Sequence, residues 1–97
     1  MFARVMECQV KDGWGAQITI KLTKDVLPVL RVQPGFVDFF ALADHTNAEK
    51  LVCISFWNSG DAEEFHRQHY ETITYMLQAL LECPPTLKTF TTGDVCD

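Results

Sequence analysis

The chain is short of positive charge. Eight Lys and Arg are scattered among thirteen Asp and Glu, for a net charge of −5, which argues against a surface that tracks a phosphate backbone, and no nucleic-acid partner is expected. Long apolar runs are also missing, and the start, MFARVMECQV, has no charged region followed by an apolar stretch and a cleavage site. The expectation is a soluble, cytoplasmic protein with no membrane partner. Glycine and proline number only five and four, which leaves no linker or low-complexity tract. Cys8, Cys53, Cys83 and Cys96 are spaced too widely and irregularly for a zinc ribbon or a CxxC redox pair. They are expected to be free thiols in a reducing compartment. A phosphate loop, a nucleotide fingerprint and a Ser-His-Asp arrangement are all lacking.

What is present is apolar surface in a small chain. Of 97 residues, 47% are hydrophobic, with seven Phe and two Trp, enough for one domain over residues 1–97 with one small core. Residues 2–10, FARVMECQV, read as a strand, which DGWG then breaks. From Ala16 to Val32 the pattern is mixed: QITIKL alternates, yet Ile18, Leu22, Val26, Val29 and Leu30 share one helical face, and a helix is the prediction. Pro28 removes a backbone donor and should bend that helix, which Pro34-Gly35 ends. GFVDFFALA and EKLVCISFW flank the polar DHTNA and form an antiparallel hairpin. Ser59 or Asp61 caps a second helix from about Gly60 to Leu81, terminated at Cys83-Pro84-Pro85. TLKTFTT, residues 86–92, closes the chain as a last strand.

The order β-α-β-β-α-β defines an α+β, ferredoxin-like fold: a four-stranded antiparallel sheet with two helices on one face. Alternation places Phe36, Phe40 and Leu42 on one side of the hairpin against Val37, Phe39, Ala41 and Ala43, and sets Leu51, Cys53 and Trp57 against Val52, Ile54 and Phe56. Both faces are apolar. Two helices cover only one of them, so the other predicts a homodimer formed sheet on sheet.

In the second helix, Ala62, Phe65, His66, His69, Ile73, Met76, Leu77 and Leu80 gather on the inward side, with Tyr70 at its edge. Two histidines one turn apart, facing Trp57 and Ser55 on the sheet, suit a pocket of mixed polarity. An inward histidine also serves as a core residue bonded to a backbone carbonyl or hydroxyl, and both readings stay open. For a metal, no third ligand accompanies His66 and His69: His45 belongs to the hairpin turn. No metal is therefore expected. Cys53 has no charged neighbour in sequence that would make it a nucleophile.

VLPVLRVQPGFVDFFAL, followed by VCISFWNSGDAEEFH and a closing strand after a Pro-containing turn, resembles the antibiotic biosynthesis monooxygenase domain family over about residues 1–93. Gln-Pro-Gly-Phe at 33–36 and Ser-Phe-Trp-Asn-Ser at 55–59 carry the likeness. The resemblance implies a dimeric α+β barrel with a cavity between sheet and helices. In enzymatic members it implies oxygenation of phenols, anthrones or quinols without metal or flavin. The substrate anion itself supplies electrons to dioxygen there, so the protein needs a base or hydrogen-bond partner and an apolar, shaped cavity.

On that reading His66, His69 and Tyr70 are the catalytic candidates, and Trp57, Ser55, Phe65 and Cys53 line the substrate site. Trp57 matches the tryptophan of polyketide-type members. Their asparagine on the same strand is absent, with Cys53 and Ser55 in KLVCISFW instead. The haem-degrading branch expects an asparagine on the first strand and a tryptophan on the second helix, and neither occurs here. A non-catalytic ligand-binding or interaction dimer, or a small-molecule isomerase, is the alternative.

Overall fold

The computed structural model describes residues 1–47, 49–58 and 61–91, and for residues 61–66 the backbone only. Strand β1 (Phe2–Gln9) leads through a turn to α1 (Gly15–Lys21), a π-helical segment (Leu22–Val26) and α2 (Leu27–Arg31). Strands β2 (Phe36–Ala43) and β3 (Lys50–Trp57) follow, then α3 (Asp61–Leu77), a 3-10 turn (Gln78–Leu80) and β4 (Thr86–Thr91). The four strands form one antiparallel sheet in the order β2-β3-β1-β4, which is the ferredoxin-like plan.

The first helical stretch shows how sequence spacing becomes local geometry. Its buried residues are Ile18, Leu22, Val26 and Leu30, four apart. In an ideal α-helix a strict four-residue repeat drifts around the axis, because a turn holds fewer than four residues. The π-helical segment between Leu22 and Val26 widens the turn and keeps all four on the sheet side. Pro28, which has no N–H to donate, falls in the first turn of α2, directly after this segment. The expected bend is thus a local change of helix type. The chain then leaves through Gly35, whose φ of 79° needs a residue without a Cβ.

The hairpin turn between β2 and β3 is organised by one side chain. Asp44 Oδ1 accepts from the Thr46 backbone N–H and hydroxyl, both at 2.8 Å, and from the Asn47 N–H at 3.1 Å. This is an Asx-type turn. These bonds, the Thr46 backbone N–H first among them, hold the Asp44 carboxyl below its ordinary pKa.

The strand faces depart from simple alternation at one point. Phe36 pairs with Trp57 and Asp38 with Phe56, so Val37 is an extra residue in a β-bulge. Phe36 consequently shares the helix-covered face with Phe39, Ala41 and Ala43, and not with Phe40 and Leu42 as alternation predicts. Its ring packs edge-on against Trp57, with centroids 5.5 Å apart. The core lies between sheet and helices and joins Cys8, Leu51, Cys53 and Trp57 of the strands to Ile18, Leu22, Val26 and Leu30 and to Ile73 and Leu77 of α3.

On the opposite face stand Val5, Val52, Ile54, Phe56, Phe40, Leu42 and Phe90. Phe40, Leu42 and Phe90 are about half exposed, and Phe40 meets Phe56 edge-on at 6.1 Å. Among the described residues, no helix is long and apolar enough to cross a membrane.

Candidate functional site

Between the helices and the sheet the layers part into a small cleft that is partly open to solvent. Its floor comes from the sheet: Arg4 and Met6 of β1, Cys53 and Ser55 of β3, Phe39 of β2 and Leu87 of β4. Val26 and Leu30 form one wall, Tyr70 and Ile73 of α3 the other. The lining is mostly apolar, with a few polar groups gathered in it, the usual make-up of a small-molecule pocket.

Three of the residues singled out in the sequence meet here: Tyr70, Ser55 and Cys53. Trp57 does not line the cleft. It is completely buried, and its indole Nε1 donates to Ser55 Oγ at 2.8 Å, linking the core to the cleft floor. His69 is half-buried on α3, next to Tyr70 in sequence but outside the cleft lining. Buried Ile73 and Leu77, together with Tyr70 in the cleft, turn the inward stripe of α3 toward Tyr70, which the sequence reading puts at its edge. The side chains of Phe65 and His66 lie outside the described residues, as do Ser59 and Cys96.

Arg4 is the polar group that the sequence reading misses. It is 8% exposed, lines the cleft, and donates from Nη1 to Thr89 Oγ1 of β4 at 2.6 Å. A signal was available: in FARVMECQ, Arg4 occupies the same alternate positions as Phe2, Met6 and Cys8, so a buried strand face with one cation in it could have been read directly.

Cys8 and Cys53 are both buried and reduced. The neighbouring Cys8 thiol, and then burial, push the Cys53 thiol well above its ordinary range. Among the described residues, no group of three His, Cys, Asp or Glu converges on one point.

The fold and cleft define a class. The sequence model of the family described as antibiotic biosynthesis monooxygenase matches residues 1–76, and the chain belongs to that family. Solved structures share the whole fold. The chain resembles a monooxygenase from the gene ActVA-Orf6 of Streptomyces coelicolor, in complex with nanaomycin D, at 22% identity and a TM-score of 0.81, covering 98% of this chain and 89% of that one. It is similar to SnoaB, a cofactor-independent oxygenase from Streptomyces nogalater, at 21% identity and a TM-score of 0.79, covering 97% and 94%. A conserved protein from Methanosarcina mazei Go1 matches at 21% identity with a TM-score of 0.76, covering 96% and 94%. At these identities the likeness establishes the fold. No curated protein matches the sequence.

Proposed function

We propose that the chain is a cofactor-independent monooxygenase of small aromatic phenols or quinols, working in the cytoplasm as a homodimer joined through its open sheet faces. The observation that carries this reading is the apolar cleft between sheet and helices, lined by Tyr70, Ser55 and Arg4 among hydrophobic side chains. On this reading the substrate ring lies against Val26, Leu30, Phe39 and Ile73 as the cleft opens to admit it, and its hydroxyl meets the polar groups. Arg4 contributes a permanent positive charge that favours the substrate's anion. SnoaB, a cofactor-independent oxygenase, and the nanaomycin-bound monooxygenase of Streptomyces coelicolor support the reading at the level of fold.

The chemistry balances without a resident cofactor. A base takes the proton of the ring hydroxyl, and the electron-rich anion reduces dioxygen. One oxygen atom becomes a ring carbonyl and the other leaves as water, with the two hydrogens the substrate gives up. His66, His69 and Tyr70 are the proposed proton-handling groups, with Tyr70 best placed because it lines the cleft. Cys53, Phe65 and Ser55 contact substrate, and Trp57 acts through Ser55. The free thiols Cys8, Cys53 and Cys83 fit a reducing compartment.

Oxygen consumption with a panel of hydroquinones and anthrones tests this directly. Uptake that falls in Tyr70→Phe and His69→Ala protein supports the proposal. Proton exchange with no oxygen uptake points to an isomerase. A ligand that raises the melting temperature and is recovered unchanged points to a binding protein.

A further inference from the structure

Three sulfur-bearing side chains share one side of the two central strands. Met6 of β1 stands opposite Cys53 of β3, and Cys8 stands opposite Leu51. Two-residue alternation therefore puts Met6, Cys8 and Cys53 on the same, helix-covered face. Cys8 and Cys53 are each 2% exposed and are diagonal neighbours across the β1–β3 pair. Met6 and Cys53 line the cleft, so the cluster has a route to solvent.

Two adjacent thiols suggest a disulfide, but their register opposes it. Cys8 and Cys53 are diagonal neighbours, not direct partners, and diagonal positions across an antiparallel pair lie about 7–8 Å apart. A disulfide needs Cα atoms within about 4.4–6.8 Å. Closing one would drag the two central strands of the sheet out of register. A metal ion between the sulfurs makes no such demand: with bonds of about 2.3 Å, as for thiolate on zinc, it spans sulfurs more than 4 Å apart.

We propose that Met6, Cys8 and Cys53 form a binding site for a soft, low-coordinate cation of the Cu(I) type at the floor of the cleft. Thiolate and thioether sulfur select soft ions. Zinc wants four strong ligands, and among the described residues none of His, Asp or Glu joins the two cysteines. Two thiolates and a thioether satisfy a two- or three-coordinate ion. Binding displaces the thiol protons: Cys8 and Cys53 each give up one proton to solvent as their thiols become thiolates, and the ion binds between the sulfurs with no change of oxidation state, leaving a single net negative charge on the site. The site shares Cys53 with the substrate contacts proposed above, so an ion there would narrow the cleft floor, and its test is kept separate from oxygen uptake.

The test uses the full chain with Cys83 and Cys96 replaced by serine, so that only Cys8 and Cys53 remain. Under anaerobic conditions it is titrated against the coloured Cu(I) complex of bicinchoninate. The expected result is withdrawal of one Cu(I) per chain, with thiolate-to-metal absorption growing in the near ultraviolet. Cys53→Ser and Cys8→Ser should abolish the withdrawal. Met6→Leu should weaken it by about tenfold, or 1.4 kcal/mol. Far-ultraviolet circular dichroism checks that each variant is folded. X-ray absorption on the parent, which needs no variant, should count two or three sulfur neighbours and no nitrogen shell. The proposal is overturned by failure of the folded parent to compete for Cu(I), by undiminished binding in Cys53→Ser protein, or by nitrogen ligands. A mass loss showing a ready Cys8–Cys53 disulfide in air would also overturn the geometric argument. None of these measurements involves oxygen uptake, so the site and the monooxygenase reading succeed or fail separately.

Discussion

Trp57 and Ser55 stand two residues apart on one face of β3, and the indole Nε1 donates a 2.8 Å hydrogen bond to the serine hydroxyl. The largest fully buried side chain of the core is thereby tied to the floor of the cleft. Ser55→Ala removes that bond and should cost about 1 kcal/mol. Trp57→Ala opens a core cavity and should cost about 3–5 kcal/mol. Urea unfolding curves measure both. Equal losses would show that the indole is held by its hydrogen bond and not by packing.

Phe40 pairs with Ile54 across the open face of the sheet, and Phe40 packs edge-on with Phe56. A like face from a second copy would bury these rings together with Leu42 and Phe90, which are about half exposed in the single chain. Light scattering should therefore give a dimer at micromolar concentration, and Ile54→Asp or Phe40→Asp should give a monomer, since an unpaired carboxylate in an apolar interface is costly. A monomeric parent would end the dimer proposal.

Tyr70 lines the cleft and His69 beside it does not. If Tyr70 handles the substrate proton, Tyr70→Phe should lower oxygen uptake by roughly 100-fold or more. The variant should stay folded, because the half-buried ring and its packing are kept. Parallel assays of His69→Ala separate the two. A larger loss in the histidine variant would move the proton-transfer role one residue back along α3.

The Asp44 turn should respond to acid. Hydrogen bonds from Thr46 and Asn47 depress the Asp44 pKa below its ordinary value of 3.8. The stabilisation is therefore complete above that ordinary value and is lost as pH falls through the lower, folded value. Amide exchange at Thr46 and Asn47 should quicken in that acid range, while amides in β1 stay protected. In Asp44→Ala protein the same amides should exchange fast at every pH. Protection of Thr46 that persists in the alanine variant would show that the strands hold the turn closed by themselves.

Much of the fold is legible in single segments. The alternation of KLVCISFW places Leu51, Cys53 and Trp57 inward, as found, and DHTNA marks the hairpin turn because Asp44 can close it locally. The helix over Ile18 to Leu30 is legible from its four-residue stripe. Phe36 is where alternation fails, because a bulge at Val37 adds one residue and reverses the face of everything before it. In the cleft, Tyr70, Ser55 and Cys53 could be named from sequence. The stripe of α3 could not be phased finely enough to prefer Tyr70 over His69, since neighbouring helical positions differ by about a quarter turn.

The sequence by itself determined the element order, the likeness to the family, the two apolar sheet faces and the acidic net charge. The order, faces and charge follow from composition or from periodicity within a few turns of chain, and the family from the resemblance carried by residues 33–36 and 55–59. Only the tertiary structure decided that β1 lies between β3 and β4. That arrangement sets Arg4 beside Thr89 and Met6 opposite Cys53, and it brings Cys8 diagonally next to Cys53. Cys8 and Cys53 are 45 residues apart in the chain, and no local pattern carries their register. It is fixed when the apolar faces of separate strands are buried together against the helices, because a slip of one residue would turn every buried side chain outward.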